Sequence, residues 1–351
     1  MATDHVTYVD PNGTGDYVSA ASWEADLGDT TGNLPSDDLI AVATCRCTGG
    51  TADTTAFTMD GWTVDATRYI KIWTDPAESY RHNGTYQTGN KYRLEISRAL
   101  AVSILENYVR ILGIQFQISC DVTWTTAKGI LIDINGGNLQ IGNNIFKAIF
   151  ASGNSNEQYA ISEAYEGGTE TFVNVFNNIF YDWVATGAKT IISYEAGGTQ
   201  YKNKYYNNTF YNCTSGISGV SADVLINNIF CSCGTNVSGT VGAGTDYNAT
   251  DDAAIGYTVT GSGNIHDRVS QTFTFVDADN DDFHLASNDA GAKGYGLNLY
   301  NDASFPFQTD IDGDDRGGAA AAWDIGADES VAAGGSSIVP LLLYLYRARR
   351  Q

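Results

Sequence analysis

The sequence predicts an all-β solenoid, a chain wound into short stacked coils, and three observations predict it. The first is a tetrapeptide that returns four times: Asn143-Asn144-Ile145-Phe146, Asn177-Asn178-Ile179-Phe180, Asn207-Asn208-Thr209-Phe210 and Asn227-Asn228-Ile229-Phe230. Its spacings of 34, 30 and 20 residues are those of a small repeated supersecondary unit. The second is a Gly-Gly pair ahead of three of these repeats, at Gly136-Gly137, Gly167-Gly168 and Gly197-Gly198. The third is the character of the runs between them. They are too short for amphipathic helices and rich in β-branched and aromatic residues.

The elements follow in chain order. Tyr69 to Trp73 and Tyr92 to Ile96 read as early, irregular coils, and Tyr108 to Phe116 as the coil before the first full repeat. Each full coil then reads strand, Gly-Gly turn, strand, Asn-Asn bend, aromatic strand. The strands before the glycines are Leu131 to Ile134, Ala160 to Tyr165 and Thr190 to Glu195. Those after them are Leu139 to Ile141, Phe172 to Phe176 and Tyr201 to Tyr206. The fourth coil is tighter, with Gly216 to Val220 and Val224 to Ile226. Asn tolerates the left-handed backbone region better than other non-glycine residues, so a paired Asn at a strand end marks a sharp bend. With coils stacked about 4.8 Å apart, one Asn of each pair lies over its equivalent, and the amides form a ladder. The Phe two residues later points inward and stacks as a column. Thr209 in place of Ile marks the intervening position as half-buried.

Three short strands per coil with Asn at a bend resembles the right-handed parallel β-helix of the pectate-lyase-like superfamily, over roughly residues 60 to 235. The flanks resemble it too. Tyr8-Val9-Asp10 with Gly13 to Trp23 is similar to the opening strand and capping helix of such proteins. Phe275 to Leu285 and Asp310 to Glu329 are similar to the closing segment of bacterial and phage β-helix proteins. The resemblance implies a single-stranded right-handed parallel β-helix. Residues 1–60 would be the strand and cap, 61–245 the coils, 246–330 the closing segment and 331–351 a Gly-rich, apolar and basic tail.

The formal net charge of −22 argues against nucleic acid or an anionic membrane as the main partner. It also makes a strongly anionic polysaccharide a harder substrate, unless calcium or a local basic patch mediates. The first residues carry no basic, apolar leader pattern, and no run is long enough to span a bilayer. The tail joins Gly334-Gly335-Ser336-Ser337 to the apolar Ile338 to Tyr346 and a basic end, a pattern suited to docking on a partner or another copy, or to folding back over the last coil. Cys213 and Cys233 each follow a repeat Phe by three residues, where earlier coils carry Ile149 and Trp183. That places two free thiols one above the other in a core position. No His stands at zinc-ligand spacing from any cysteine.

Candidate chemistry lies on the strands before the Gly-Gly turns, which carry Asp133, Glu163, Glu166 and Glu195 with Tyr165 and Tyr194 beside them. Facing outward, they form a carboxylate stripe with aromatic platforms for sugar rings, and paired carboxylates are what glycoside hydrolysis needs. A one-residue slip turns such a set to the opposite face, and Ile132/Ile134 and Glu163/Tyr165 disagree on parity. A wall of solvated charges is the plainer reading. A calcium-assisted lyase needs a Lys or Arg base; Lys128 and Lys189 are near, outside any lyase motif. The Asp-Asp pairing on adjacent coils shown by pectin hydrolases of this superfamily is missing. Asp277, Asp279 and Asp281, and Asp310, Asp312 and Asp314, begin calcium-loop patterns, but the twelfth positions are Asn288 and Ala321. Calcium therefore stays a candidate ligand and no cofactor is required. The other reading of these acids closes the solenoid end, with Arg316 pairing an acid such as Asp324. His284 reads as structural.

The sequence thus favours a structural or receptor-binding β-helix protein, virion-associated or extracellular, that contacts a polysaccharide or host-surface glycan. Its tail offers a route to a homo-oligomer or a virion partner. A polysaccharide lyase or glycoside hydrolase is the alternative.

Overall fold

A computed structural model describes residues 2–123, 125–164, 170–193, 202–260, 266–303 and 305–330. Three long all-parallel sheets form the walls of a solenoid. The first wall contains Thr3–Val9, Leu39–Cys45, Ile70–Trp73, Val109–Leu112, Gly137–Gly142, Thr171–Phe176, Lys204–Tyr206 and Val224–Ile226. The second runs from Arg93–Ser97 through Gln115–Cys120, Ile145–Phe150, Ile179–Tyr181, Thr209–Tyr211 and Ile229–Cys231 to Ala249–Thr250. The third runs from Phe57–Met59 to Thr258–Val259. The chain visits the walls in turn, so each strand pairs with its equivalent one coil away. Wall pairing begins at Thr3–Val9 and ends at Val259, beyond both ends of the 61–245 span expected for the coils.

The bend from the first to the second wall takes two residues. The first Asn of each pair is left-handed, with φ of 56° at Asn143, 50° at Asn177, 54° at Asn207 and 58° at Asn227. The second faces inward. Asn144 Nδ2 donates to Asn178 Oδ1 at 3.0 Å, Asn178 to Asn208 at 3.0 Å, Asn208 to Asn228 at 3.0 Å and Asn228 to Asn248 at 2.8 Å. The same oxygens accept backbone N–H groups, and each Nδ2 also reaches a first-wall carbonyl, so these buried amides are satisfied. Asn248 is a fifth rung that the repeat does not announce, because Tyr247-Asn248-Ala249 lacks both the Asn pair and the Phe. Inside, Phe116, Phe146, Phe180, Phe210 and Phe230 stack at centroid distances of 4.6, 4.8, 4.9 and 4.9 Å. Gly137, at φ +91°, is required by a close approach: a Cβ there would sit 2.0 Å from the Asn107 carbonyl oxygen.

Helix Ala20–Thr31, capped by Ser19, closes the first end with Trp23 stacked on Trp62 at 5.6 Å. Residues 266–271 of the closing segment pair onto the last coil, where Arg268 N–H donates to the Asn248 carbonyl and Gln271 N–H to that of Thr250, and the chain from Phe275 then leaves that end. It runs back lengthwise along the Asn corner as a strap. The outward Asn side chains hold it: Asn143 donates to the Asp310 carbonyl, Asn177 to Thr309 at 2.6 Å, Asn207 to Gly326 at 3.3 Å and Asn227 to Leu297 at 2.8 Å. On one side of the corner the strap buries Phe176, Tyr206 and Ile226 against Leu299 and Trp323. On the other it buries Ile179 and Tyr181 against Phe283 and Ile311.

Two sequence expectations change, and a third is made specific. Thr209 is buried, not half-buried, because the strap lies on it and the Ala327 N–H donates to its hydroxyl at 3.0 Å. Ile149 is 48 % exposed, while Trp183, Cys213 and Cys233 are core. The later coils place a left-handed residue just before that position (Asp182, Asn212, Ser232), which turns the chain inward, whereas the strand Ile145–Phe150 runs straight on. Arg316 does pair a nearby acid, but the acid is Glu329, at 3.1 Å, and from Asp324 it takes a backbone carbonyl. All six cysteines are free, Cys213 and Cys233 both buried. Among the described residues no helix is long and apolar enough to cross a membrane. The tail, 331–351, lies outside them.

Candidate functional site

The strap leaves much of the outer face of the first wall open, and register builds a site there. Strand pairing aligns Lys71, Arg110, Gln140, Asn174, Lys204 and Val224, one per coil. Alternation along each strand puts the residues two positions away on the same outer face. One flanking row carries Tyr69, Tyr108, Asn138, Phe172 and Lys202; the other begins Tyr8, Thr44, Trp73 before the strap covers it. Gly142 lies in that second row, and a Cβ there would strike the Phe176 ring at 2.2 Å.

Three grooves follow this face. One of about 420 Å³ is lined by Asn138, Phe172, Asn174, Lys202, Lys204 and Val224 among others. A second, about 210 Å³, lies between Tyr69, Tyr108, Arg110 and Gln140. A third, about 320 Å³, is bounded by Asp4, Tyr8, Lys71, Trp73 and Glu78. The cations lie on rings: Lys71 Nζ is 3.1 Å from the Trp73 centroid and Arg110 Cζ 3.4 Å from that of Tyr69. Burial pulls Lys71 down to about 8, with neighbouring Arg110 and Arg81 adding to the shift; burial also lowers Arg110. Such a face offers flat apolar platforms, amides and cationic donors in a line, the chemistry that binds an extended polar chain. The aligned row was not recognised in the sequence. Its signal is positional: Arg110, Gln140, Asn174, Lys204 and Val224 each stand three residues before a left-handed bend residue.

Of the acids singled out from the sequence, Asp133 and Glu163 lie among the described residues. Glu163 pairs in register with Ile132 and is 4 % exposed, facing the interior, while Asp133 is one position further on and half-buried. Glu163 accepts from Asn203 Nδ2 at 3.1 Å; Asn203 also donates to Ser193, whose hydroxyl donates to Asp223 at 2.9 Å. Tyr165, Glu166, Tyr194 and Glu195 lie outside the described residues.

The two Asp runs belong to the strap. Asp310 Oδ1 accepts the backbone N–H groups of Asp312, Gly313 and Asp314, and its Oδ2 that of Glu329, an intra-loop use of the carboxylate. Asp281 accepts from Lys147 at 2.6 Å, Asp277 from Asn280 at 2.8 Å, and Asp279 lies in the hairpin turn. His284 bridges Asp282 at 2.5 Å and Asp312 at 2.9 Å. His284, Asp312 and Asp328 bring ligand atoms within 4.8 Å of one another and are the described residues best placed to hold a metal ion. A doubly protonated His284 meets the same need: burial opposes its charge, but Asp312, Asp328 and Asp282 raise it to about 10. The sequence matches no protein-family model and no curated protein.

Proposed function

We propose that this chain is a non-catalytic glycan-binding β-helix protein whose ligand lies across the strands of the first wall. The coil is taken as single-stranded and right-handed, the hand that nearly all parallel crossovers adopt, in keeping with the pectate-lyase-like resemblance. The observation that carries the function is the register-aligned row of Lys71, Arg110, Gln140, Asn174 and Lys204, flanked by Tyr69, Tyr108 and Phe172 on one side and by Tyr8 and Trp73 at the start of the other. In the setting expected from the sequence, a virion's receptor-binding part, such a wall would meet host-surface glycan. The test is retention of the protein on a panel of surface polysaccharides, with assays for new reducing ends and unsaturated products. Retention without cleavage is expected, and Trp73→Ala and Phe172→Ala should each weaken it about tenfold, the loss of a sugar-stacking ring. Retention untouched by both substitutions would remove this face from consideration.

The second reading, hydrolysis, is supported by one feature: Glu163 and Asp223 are buried acids joined through Asn203 and Ser193. Release of reducing ends that disappears in Glu163→Gln would put it first.

A further inference from the structure

We infer that Lys71 and Arg110 form an anion subsite that recognises the acidic group, carboxylate or sulfate, of the glycan on the first wall. The inference rests on the glycan-binding reading and names the class of glycan. Asp and Glu outnumber Lys and Arg by 41 to 19, so a cation of this chain has acids in plenty to pair with. Lys204 takes Asp302 at 3.7 Å, Lys202 takes Glu170 at 3.9 Å, and Arg46 takes Glu78. Lys71 and Arg110 do otherwise. Among the described residues neither has a carboxylate oxygen within 4.0 Å. They are direct register partners on adjacent coils, about 4.8 Å apart across the ladder. Both are half-buried, each resting on an aromatic ring.

Two adjacent, partly desolvated like charges repel, and burial disfavours each charge separately. Among the described residues the compensation is partial: Asp4 and Asp75 act on Lys71 at longer range, and Tyr69 supports the charge of Arg110, while burial still lowers both. An oxyanion placed between the ammonium and the guanidinium relieves both, and Arg presents a planar fork to it. The grooves beside Trp73 and beside Tyr69 and Tyr108 flank this point, so the neighbouring sugar rings meet aromatic faces. An acidic sugar therefore satisfies the subsite in a way that a neutral one does not. The chain's overall negative charge acts at longer range and is screened by salt, whereas the local pair acts at contact.

The test uses the full chain and three forms of each polysaccharide in the panel that it retains: the native acidic polymer, the polymer with its carboxyls reduced to alcohols, and the desulfated polymer. The expected result is about tenfold tighter binding of the acidic form over the neutralised one, the worth of a charge-assisted pair. Whichever neutralisation abolishes the preference names carboxylate or sulfate as the group. Lys71→Met and Arg110→Met should each erase most of that preference, lowering affinity for the acidic form far more than affinity for the neutral one. A second measurement separates function from structure. Cations kept for a ligand should melt no lower when replaced by Met, because an unpaired charge is removed; cations that hold the fold should melt lower. Equal binding of acidic and neutral forms, a preference that survives the Lys71→Met/Arg110→Met double variant, or a lower melting temperature in both single variants would each overturn the inference. Failure to retain any polysaccharide overturns the glycan reading, and this inference with it.

Discussion

At the scale of single residues, the two members of each Asn pair have separate tasks. The left-handed first Asn faces the strap, and the second spends its amide on the internal ladder. The Phe that follows adds one ring to the column. Phe180 has a stacked neighbour on each side and no exposure, so Phe180→Ala should cost about 3–5 kcal/mol in chemical denaturation, with the slope of the transition unchanged. Lys71 supplies a test of opposite character. Its folded pKa of about 8 lies below the ordinary 10.5, so the fold disfavours its charge, and stability gains from deprotonation between those pH values. Anion binding needs the charge. Affinity for an acidic glycan should therefore fall as pH rises from 7 to 9, and Lys71→Met should flatten that profile. The groups that act on Lys71 are Asp4, Arg110, Asp75 and Arg81.

At the scale of elements, the strap is the least expected part. It is anchored by Arg316, whose fully buried guanidinium donates to Asn177 Oδ1, to the Gly326 and Ala327 carbonyls and to Glu329. Arg316→Met strands the half-buried Glu329 and should cost about 3–5 kcal/mol, seen first as faster hydrogen exchange in 275–330 and at the Asn corner. The strap also responds to pH. Burial raises Asp310 to about 7, Asp328 to about 6 and Glu329 to about 7. For these acids the folded state binds more protons than the unfolded one from about pH 4 to 7, so stability falls as pH rises through that window. His284, raised to about 10 from 6.5, contributes stability that is fully present below 6.5 and lost as pH climbs to 10. Both effects share a sign. Exchange protection of the strap, corrected for intrinsic rates, should be greater at pH 5 than at pH 9, and His284→Asn should remove the upper part of the change. The closing segment was visible in the sequence as a motif, but its lengthwise path was not. That path depends on outward side chains such as Asn177 and Thr209, whose partners lie more than a hundred residues away.

At the scale of the whole molecule, the architecture was legible because one bend and one ring recur together on four consecutive coils, and a repeated motif states its own register. The site was not legible because it lies between coils. Lys71 and Arg110 are 39 residues apart and Gln140 and Asn174 are 34 apart, and only the stacked walls cancel the unequal loops. The placing of Glu163 was hidden for the same reason: it takes the inward place that Ile132 holds one coil earlier. The division of labour at the Asn corner has a last consequence. A ladder of identical rungs sets no length, since any number of coils satisfies it equally. The strap does set one. Its carbonyls at Asp310, Thr309, Gly326 and Leu297 meet four particular rungs in a fixed spatial order, like the teeth of a key. Excising one whole coil, residues 207–226, should leave wall and column continuous, with Phe180 stacked on Phe230, yet shift the key by one tooth, about 4.8 Å. The shortened chain should keep its strand content and lose its strap to protease. In this molecule coil number is counted from the outside.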